Sequence, residues 1–128
     1  MYGITFEKVK DAVINLANET PDRVYNRSDS PTAICSYISD SPALLDEFGE
    51  AVYTDDPGEG RGCIFGRALQ NLGVPVSVLH SFEGNNISEV LDYLGCELTP
   101  IQSGTLDGAQ ERQDFGDPWG ELVGLLDK

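Results

Sequence analysis

Short apolar stripes at helical spacing, each opened by a capping residue and closed by glycine or proline, run along most of this chain. That punctuation restricts it to a packing of short helices. Thr5 is placed to cap a first helix in which Phe6, Val9, Val13 and Leu16 recur, and Thr20-Pro21-Asp22 ends it. Cys63 to Leu72 carries Ile64, Phe65, Ala68, Leu69 and Leu72 on one face. Gly73-Val74-Pro75 then reads as a glycine stop with Val74 folding back, as in a Schellman motif. Val76 to Phe82 is short and fits a helical turn better than a strand. Asn86 opens the next helix, with Glu89 in the capping-box position, and Gly95 stops it after Ile87, Val90, Leu91 and Leu94. Thr99-Pro100-Ile101-Gln102 is another start signal. The helix it opens is weakened by Gly104 and Gly108, each about 1 kcal/mol worse than alanine. Asp117-Pro118 begins a last helix bearing Trp119, Leu122, Val123 and Leu126.

Two regions carry other expectations. Arg23-Val24-Tyr25-Asn26 and Ala33 to Ile38 have strand character around a turn-rich Arg27 to Pro31, which suggests a small N-terminal β-hairpin. Ser41-Pro42 reads as a helix start followed by a stripe of Leu44, Leu45, Phe48, Ala51 and Val52. Asp55 to Gly62 is a loop that no regular element could absorb. The expected fold is therefore mainly α: a compact bundle of five to six helices with a small N-terminal hairpin (α+β), one domain over residues 1–128. A chain of this length buries roughly two-thirds of its unfolded surface, and a 40% apolar share suffices for one core.

Charge sets the functional limits. Twenty-two acidic residues against eight basic ones leave a net charge of -14, concentrated after residue 39, and residues 40–59 hold seven acids and no base. Such a surface repels nucleic acid and anionic membranes and favours cationic partners. No apolar run approaches the roughly 20 residues of a membrane span. With no secretory signal and an odd cysteine count (Cys35, Cys63, Cys96), the expectation is a cytoplasmic protein with reduced thiols, in which the Asn-x-Ser/Thr triplets at Asn18, Asn26 and Asn86 carry no meaning.

Catalytic signatures are weak. Gly58 to Gly66 precedes a helix as a phosphate loop would, but the spacing is wrong, no Gly-Lys-Ser/Thr follows, and Asp55, Asp56 and Glu59 would repel phosphate. Cys63, at a helix start between Arg61 and Arg67, is the best reactive candidate, with His80 the only histidine to assist it. A cysteine-phosphatase loop would need arginine where Leu69 stands, and the bland reading is a buried thiol. Isolated Cys35, Cys63, Cys96 and His80 lack the paired spacing of a zinc site, so no metal and no cofactor are implied. A Cys35–Cys63 disulfide is open but disfavoured in a reducing compartment. Asp55-Asp56-x-x-Glu59 does not match a calcium loop, and Asp114-Phe115-Gly116 lacks every other kinase signature. Trp119 either closes the core or stands exposed among Glu111, Asp114, Asp117 and Glu121 as an anchor for a basic partner.

Several motifs occur in a set order: Val24-Tyr25, Cys35-Ser36-Tyr37, Gly62-Cys63-Ile64-Phe65-Gly66-Arg67-Ala68-Leu69, Leu72-Gly73-Val74, and Gln110…Gln113-Asp114-Phe115-Gly116-Asp117-Pro118-Trp119-Gly120. Over about residues 20–124 the chain thereby resembles a family of small uncharacterised proteins from actinobacteria and their phages. The resemblance implies a cytosolic, phage-encoded context and brings no activity with it. The expected function is a non-enzymatic binding protein. Its acids, Asp46, Glu47, Glu50, Asp55, Asp56 and Glu59 with Asp114, Asp117, Trp119 and Glu121, would engage a basic host protein surface, including one that otherwise binds nucleic acid. The alternatives are a thiol enzyme or redox protein centred on Cys63, and charge that only keeps the chain soluble. The apolar positions also leave a homodimer open.

Overall fold

The computed structural model describes residues 2–25, 35–41, 44–48, 51–52 and 56–126, with backbone alone at Leu45 and Ala51. Among the described residues the protein is mainly helical: α1 (Phe6–Glu19), α2 (Ile64–Asn71), α3 (Val76–His80), α4 (Ile87–Tyr93), α5 (Pro100–Asp114) and α6 (Trp119–Leu126). A two-stranded antiparallel hairpin, β1 (Leu44–Leu45) and β2 (Ala51–Val52), is inserted between α1 and α2, with Leu44 opposite Val52 and Leu45 opposite Ala51.

The helices start and stop where local chemistry requires. The Thr5 hydroxyl accepts the Lys8 N–H at 3.2 Å to open α1. Thr99 and Gln102 form a reciprocal capping box at α5, with bonds of 3.1 and 3.0 Å. The α2 terminus is a full Schellman motif: Val74 N–H reaches Leu69 O and Gly73 N–H reaches Gln70 O, both at 3.0 Å. The same pair of bonds closes α4 at Gly95-Cys96 and α5 at Gly116-Asp117.

Each helix buries one stripe. Val9, Val13 and Ala17 of α1 pack with Ile64, Phe65, Ala68 and Leu69 of α2 and with Trp119, Leu122 and Leu126 of α6. On the other side of α6 lies α5, through Leu106 and Ala109, and α5 in turn carries α4, through Ile87, Val90 and Leu91. α6 is thus the central helix, touching both α1 and α5.

Two expectations need correction. The N-terminal hairpin is not seen: Arg23–Tyr25 and Cys35–Ile38 are irregular, and residues 26–34 lie outside the described set. Tyr25 shows why pairing is replaced. Its hydroxyl accepts Ser36 N–H at 3.0 Å and donates to Ser39 O at 3.1 Å, so a side chain satisfies backbone groups that a strand partner would have taken. The helix expected from Ser41-Pro42 is instead the hairpin β1–β2. The Asp46 carboxylate accepts the Phe48 N–H at 2.9 Å, a local turn that competes with helix, and Gly49 would weaken any helix through this point. The ends of the excursion are also tied together, Gly58 N–H to Ile38 O at 2.8 Å. A helix would carry the chain about 1.5 Å per residue in one direction, whereas a hairpin returns it to its start.

Candidate functional site

The hairpin stands on two roots, residues 35–41 rising into it and 56–63 leaving it. The roots are joined by Gly58 N–H to Ile38 O and Cys63 N–H to Ser36 O, both 2.8 Å, and by Gly62 N–H to the Asp40 carboxylate at 3.3 Å. Cys35 and Cys63 are disulfide-bonded across them, with Cα atoms 6.0 Å apart, inside the usual range for such a bridge. Gln70 adds three bonds: its amide donates to Tyr37 O and Arg61 O and accepts from Gly60 N–H. Gly62 and Gly66 are glycines because the Tyr37 carbonyl lies where a Cβ would be at either position. The glycine-rich approach to α2, whose spacing did not fit a phosphate loop, is at Gly62 and Gly66 a backbone-to-helix packing device.

Beneath the roots lies a buried polar layer whose Glu83 the sequence did not single out and whose Asp114 it placed on the surface. Glu83 accepts Tyr37 N–H at 2.7 Å and the Ser36 hydroxyl at 3.3 Å, while its second oxygen is buried without a hydrogen-bond partner among the described residues. Burial pushes the Glu83 carboxyl up to about 7, against the pull of those donors. Burial likewise pushes Asp114 up to about 7, although it accepts from the Gln113 amide and from Cys35 N–H. Two neutralisable acids from different parts of the chain therefore hold the rising root. Tyr37 donates to Asn85 O at 2.6 Å and accepts from Gln110 at 2.9 Å. Gln110 and Gln113 then cap other helices, accepting the first N–H of α4 (Ile87, 2.9 Å) and of α2 (Ile64, 2.8 Å). The Gln110…Gln113-Asp114 pattern is thus a structural clamp: one helix supplies side-chain caps to two others and a carboxyl to Cys35.

Trp119 lies 1% exposed, which settles its two readings in favour of the core. Arg23 and Arg67 lie 5.1 and 5.5 Å from its ring centroid, and both reach Asp40 Oδ1, at 3.6 and 2.6 Å. Burial alone would raise Asp40. The hydrogen bonds from Arg67 and Gly62 N–H and the two arginine charges outweigh it and hold Asp40 below the ordinary carboxylate range. The indole N–H of Trp119 is buried without a hydrogen-bond partner among the described residues.

The anticipated C-terminal acidic cluster therefore does not assemble around an exposed indole. Asp114 is turned inward, Asp117 is ion-paired with Arg112 at 2.9 Å, and Glu111 and Glu121 are exposed. The central acids fare differently. Asp46 and Glu47 are exposed at the hairpin turn, Asp56 and Glu59 are exposed on the descending root, and Glu50 and Asp55 lie outside the described residues. Between them Phe48, expected on a buried helical stripe, is 82% exposed. A shallow groove of about 790 Å³ beside the descending root is edged by Glu19 and Glu59 and floored by Leu16, Val74 and Val76.

The thiol constellation does not form an open reactive site. Cys63 is fully buried and bonded to Cys35, and His80 is an exposed residue at the end of α3. Among the described residues no three His, Cys, Asp or Glu side chains converge as metal ligands, and no helix is long and apolar enough to cross a membrane. Comparison with family models, curated proteins and solved structures returns no match for the chain.

Proposed function

We propose that the protein is an acidic binding module whose hairpin tip, Asp46-Glu47-Phe48, docks on a basic protein surface. One observation carries this reading: a large aromatic side chain is 82% exposed within a stretch, residues 40–59, that holds seven acids and no base. Aromatic residues anchor interfaces, and surrounding charges select the partner and speed encounter. Ile101 is equally exposed at 82%, but it is aliphatic and borders a groove that contains Arg112, so it lacks both properties. The reading centred on Cys63 and His80 has less support, since Cys63 is fully buried and disulfide-bonded to Cys35.

The test is binding to an arginine-rich peptide and to a neutral peptide of equal length, measured by fluorescence anisotropy at low and high salt. The arginine-rich peptide should bind with strong salt dependence, and Phe48→Ala should weaken it at least tenfold. Ile101→Ala should leave it unchanged, and Asp46→Lys with Glu47→Lys should weaken it more than charge reversal at Glu89 and Glu97. Equal binding by the Phe48 variant, or equal loss wherever an acid is removed, would leave the charge as a solubility device only.

A further inference from the structure

We infer that Cys35 and Cys63 form a reversible dithiol–disulfide site that exchanges with low-molecular-weight thiols and thereby sets how firmly the acidic hairpin is held. The consequence for binding rests on the function proposed above; the redox site itself does not. Position in the fold carries the inference. Cys35 begins the rising root and Cys63 ends the descending one, so the closed loop, 28 residues of sequence separation, contains the hairpin, its acids and Phe48. No other covalent link joins the roots. Without the bridge the bonds that hold them include Gly58 to Ile38, Cys63 to Ser36 and Gly62 to Asp40, with Gln70 and Arg67 spanning them. Glu83 and Asp114 anchor only the rising root. Cys35, Tyr37, Ile38 and Cys63 share the buried core, but α1, α4, α5 and α6 also bury stripes of their own against one another, so opening the bridge loosens the hairpin base while the bundle persists.

The two sulfurs are not equivalent. Cys35 lies on irregular chain, whereas Cys63 is the N-cap residue of α2, where first-turn amides favour an anion. The thiolate of the exchanging thiol attacks Cys35 Sγ, the S–S bond breaks, and its electron pair stays on Cys63 Sγ. A second thiolate attacks the outer sulfur of the mixed disulfide, releasing the small-molecule disulfide and leaving the pair on Cys35 Sγ. Both sulfurs then take protons, so two thiols are oxidised and one protein disulfide is reduced. With Cys35 and Cys63 only 2% and 0% exposed, attack follows a local opening of residues 35–41.

The full chain bearing Cys96→Ser is equilibrated in graded reduced and oxidised glutathione, its thiols are counted by alkylation and mass, and its amide exchange is followed. The wild type serves equally, with buried Cys96 as one constant extra thiol. Expected is a two-thiol transition within the glutathione range, a mixed disulfide trapped at Cys35 in Cys63→Ser, and at least tenfold faster exchange of Gly58, Gly62 and Cys63 amides on reduction. Amides of α4 and α5 should not change. A bridge that never forms, one that glutathione never reduces, equal exchange in both states, or loss of protection throughout the bundle would each overturn the inference. In the same samples the arginine-rich peptide should bind several-fold more weakly to the reduced form, and equal binding would overturn the coupling. If root amides respond but neither form binds the peptide, the redox site stands and the binding function falls.

Discussion

At the scale of single residues, the positions that matter most are those whose partners are distant in sequence. Gly66 is the clearest. It lies inside α2, where alanine would ordinarily be better by about 1 kcal/mol, yet the Tyr37 backbone occupies the space of its side chain. Gly66→Ala should therefore destabilise the protein by about 1–3 kcal/mol in urea unfolding, because the rising root must move off the helix. Unchanged stability would mean that root and helix are not in contact. Glu83, Asp114, Gln110 and Gln113 belong with it: polar residues whose groups are consumed by backbone donors 23 to 79 positions away or by tyrosine, and whose role has no local signature.

At the scale of elements, the helices obey local rules and the hairpin does not. α5 is the longest helix, 15 residues, and tolerates two interior glycines because it is pinned by a complete capping box, a Schellman end and a buried amide face. A Cβ at Gly104 would meet nothing within 4 Å. Gly104→Ala should thus stabilise the protein by about 0.5–1 kcal/mol, seen as a rise of a few degrees in Tm. The same substitution at Gly66 acts with the opposite sign, so the pair separates helix propensity from tertiary contact. The hairpin owes its shape to its ends: the roots are bonded to one another and the Asp46 turn reverses the chain between them. Its apolar residues had helical spacing, and tertiary closure overrode it.

At the scale of the whole molecule, stability follows proton binding. Glu83 and Asp114 are held near 7 in the fold but titrate near about 4 when unfolded, so between those values the folded state binds more protons. Stability is then full below the unfolded values and falls as pH rises, by up to about 1.4 kcal/mol per pH unit for each group. Asp40 acts with the opposite sign: held low in the fold, it contributes above about pH 4 and is lost as pH falls through its folded value. The net charge of -14 adds repulsion at high pH. Tm should peak near pH 5 and decline toward pH 8, and Glu83→Gln and Asp114→Asn should flatten that decline in thermal unfolding across pH. A Tm that rises from pH 5 to 8 would exclude buried neutral acids at these positions.

Local chemistry by itself determined the helical class, the caps at Thr5 and Thr99, the Gly73, Gly95 and Gly116 stops, and the inward stripes, because caps and periodicity are satisfied within a few residues. Tertiary structure alone decided the rest. Trp119 went inside because two arginines and Asp40 close over it, and Phe48 went outside because its segment turns back as a hairpin. Cys35 met Cys63 because glycines at 62 and 66 let the rising root lie against α2. Such pairings depend on backbone approach between segments far apart in the chain, and neither residue type nor spacing along one segment encodes that distance.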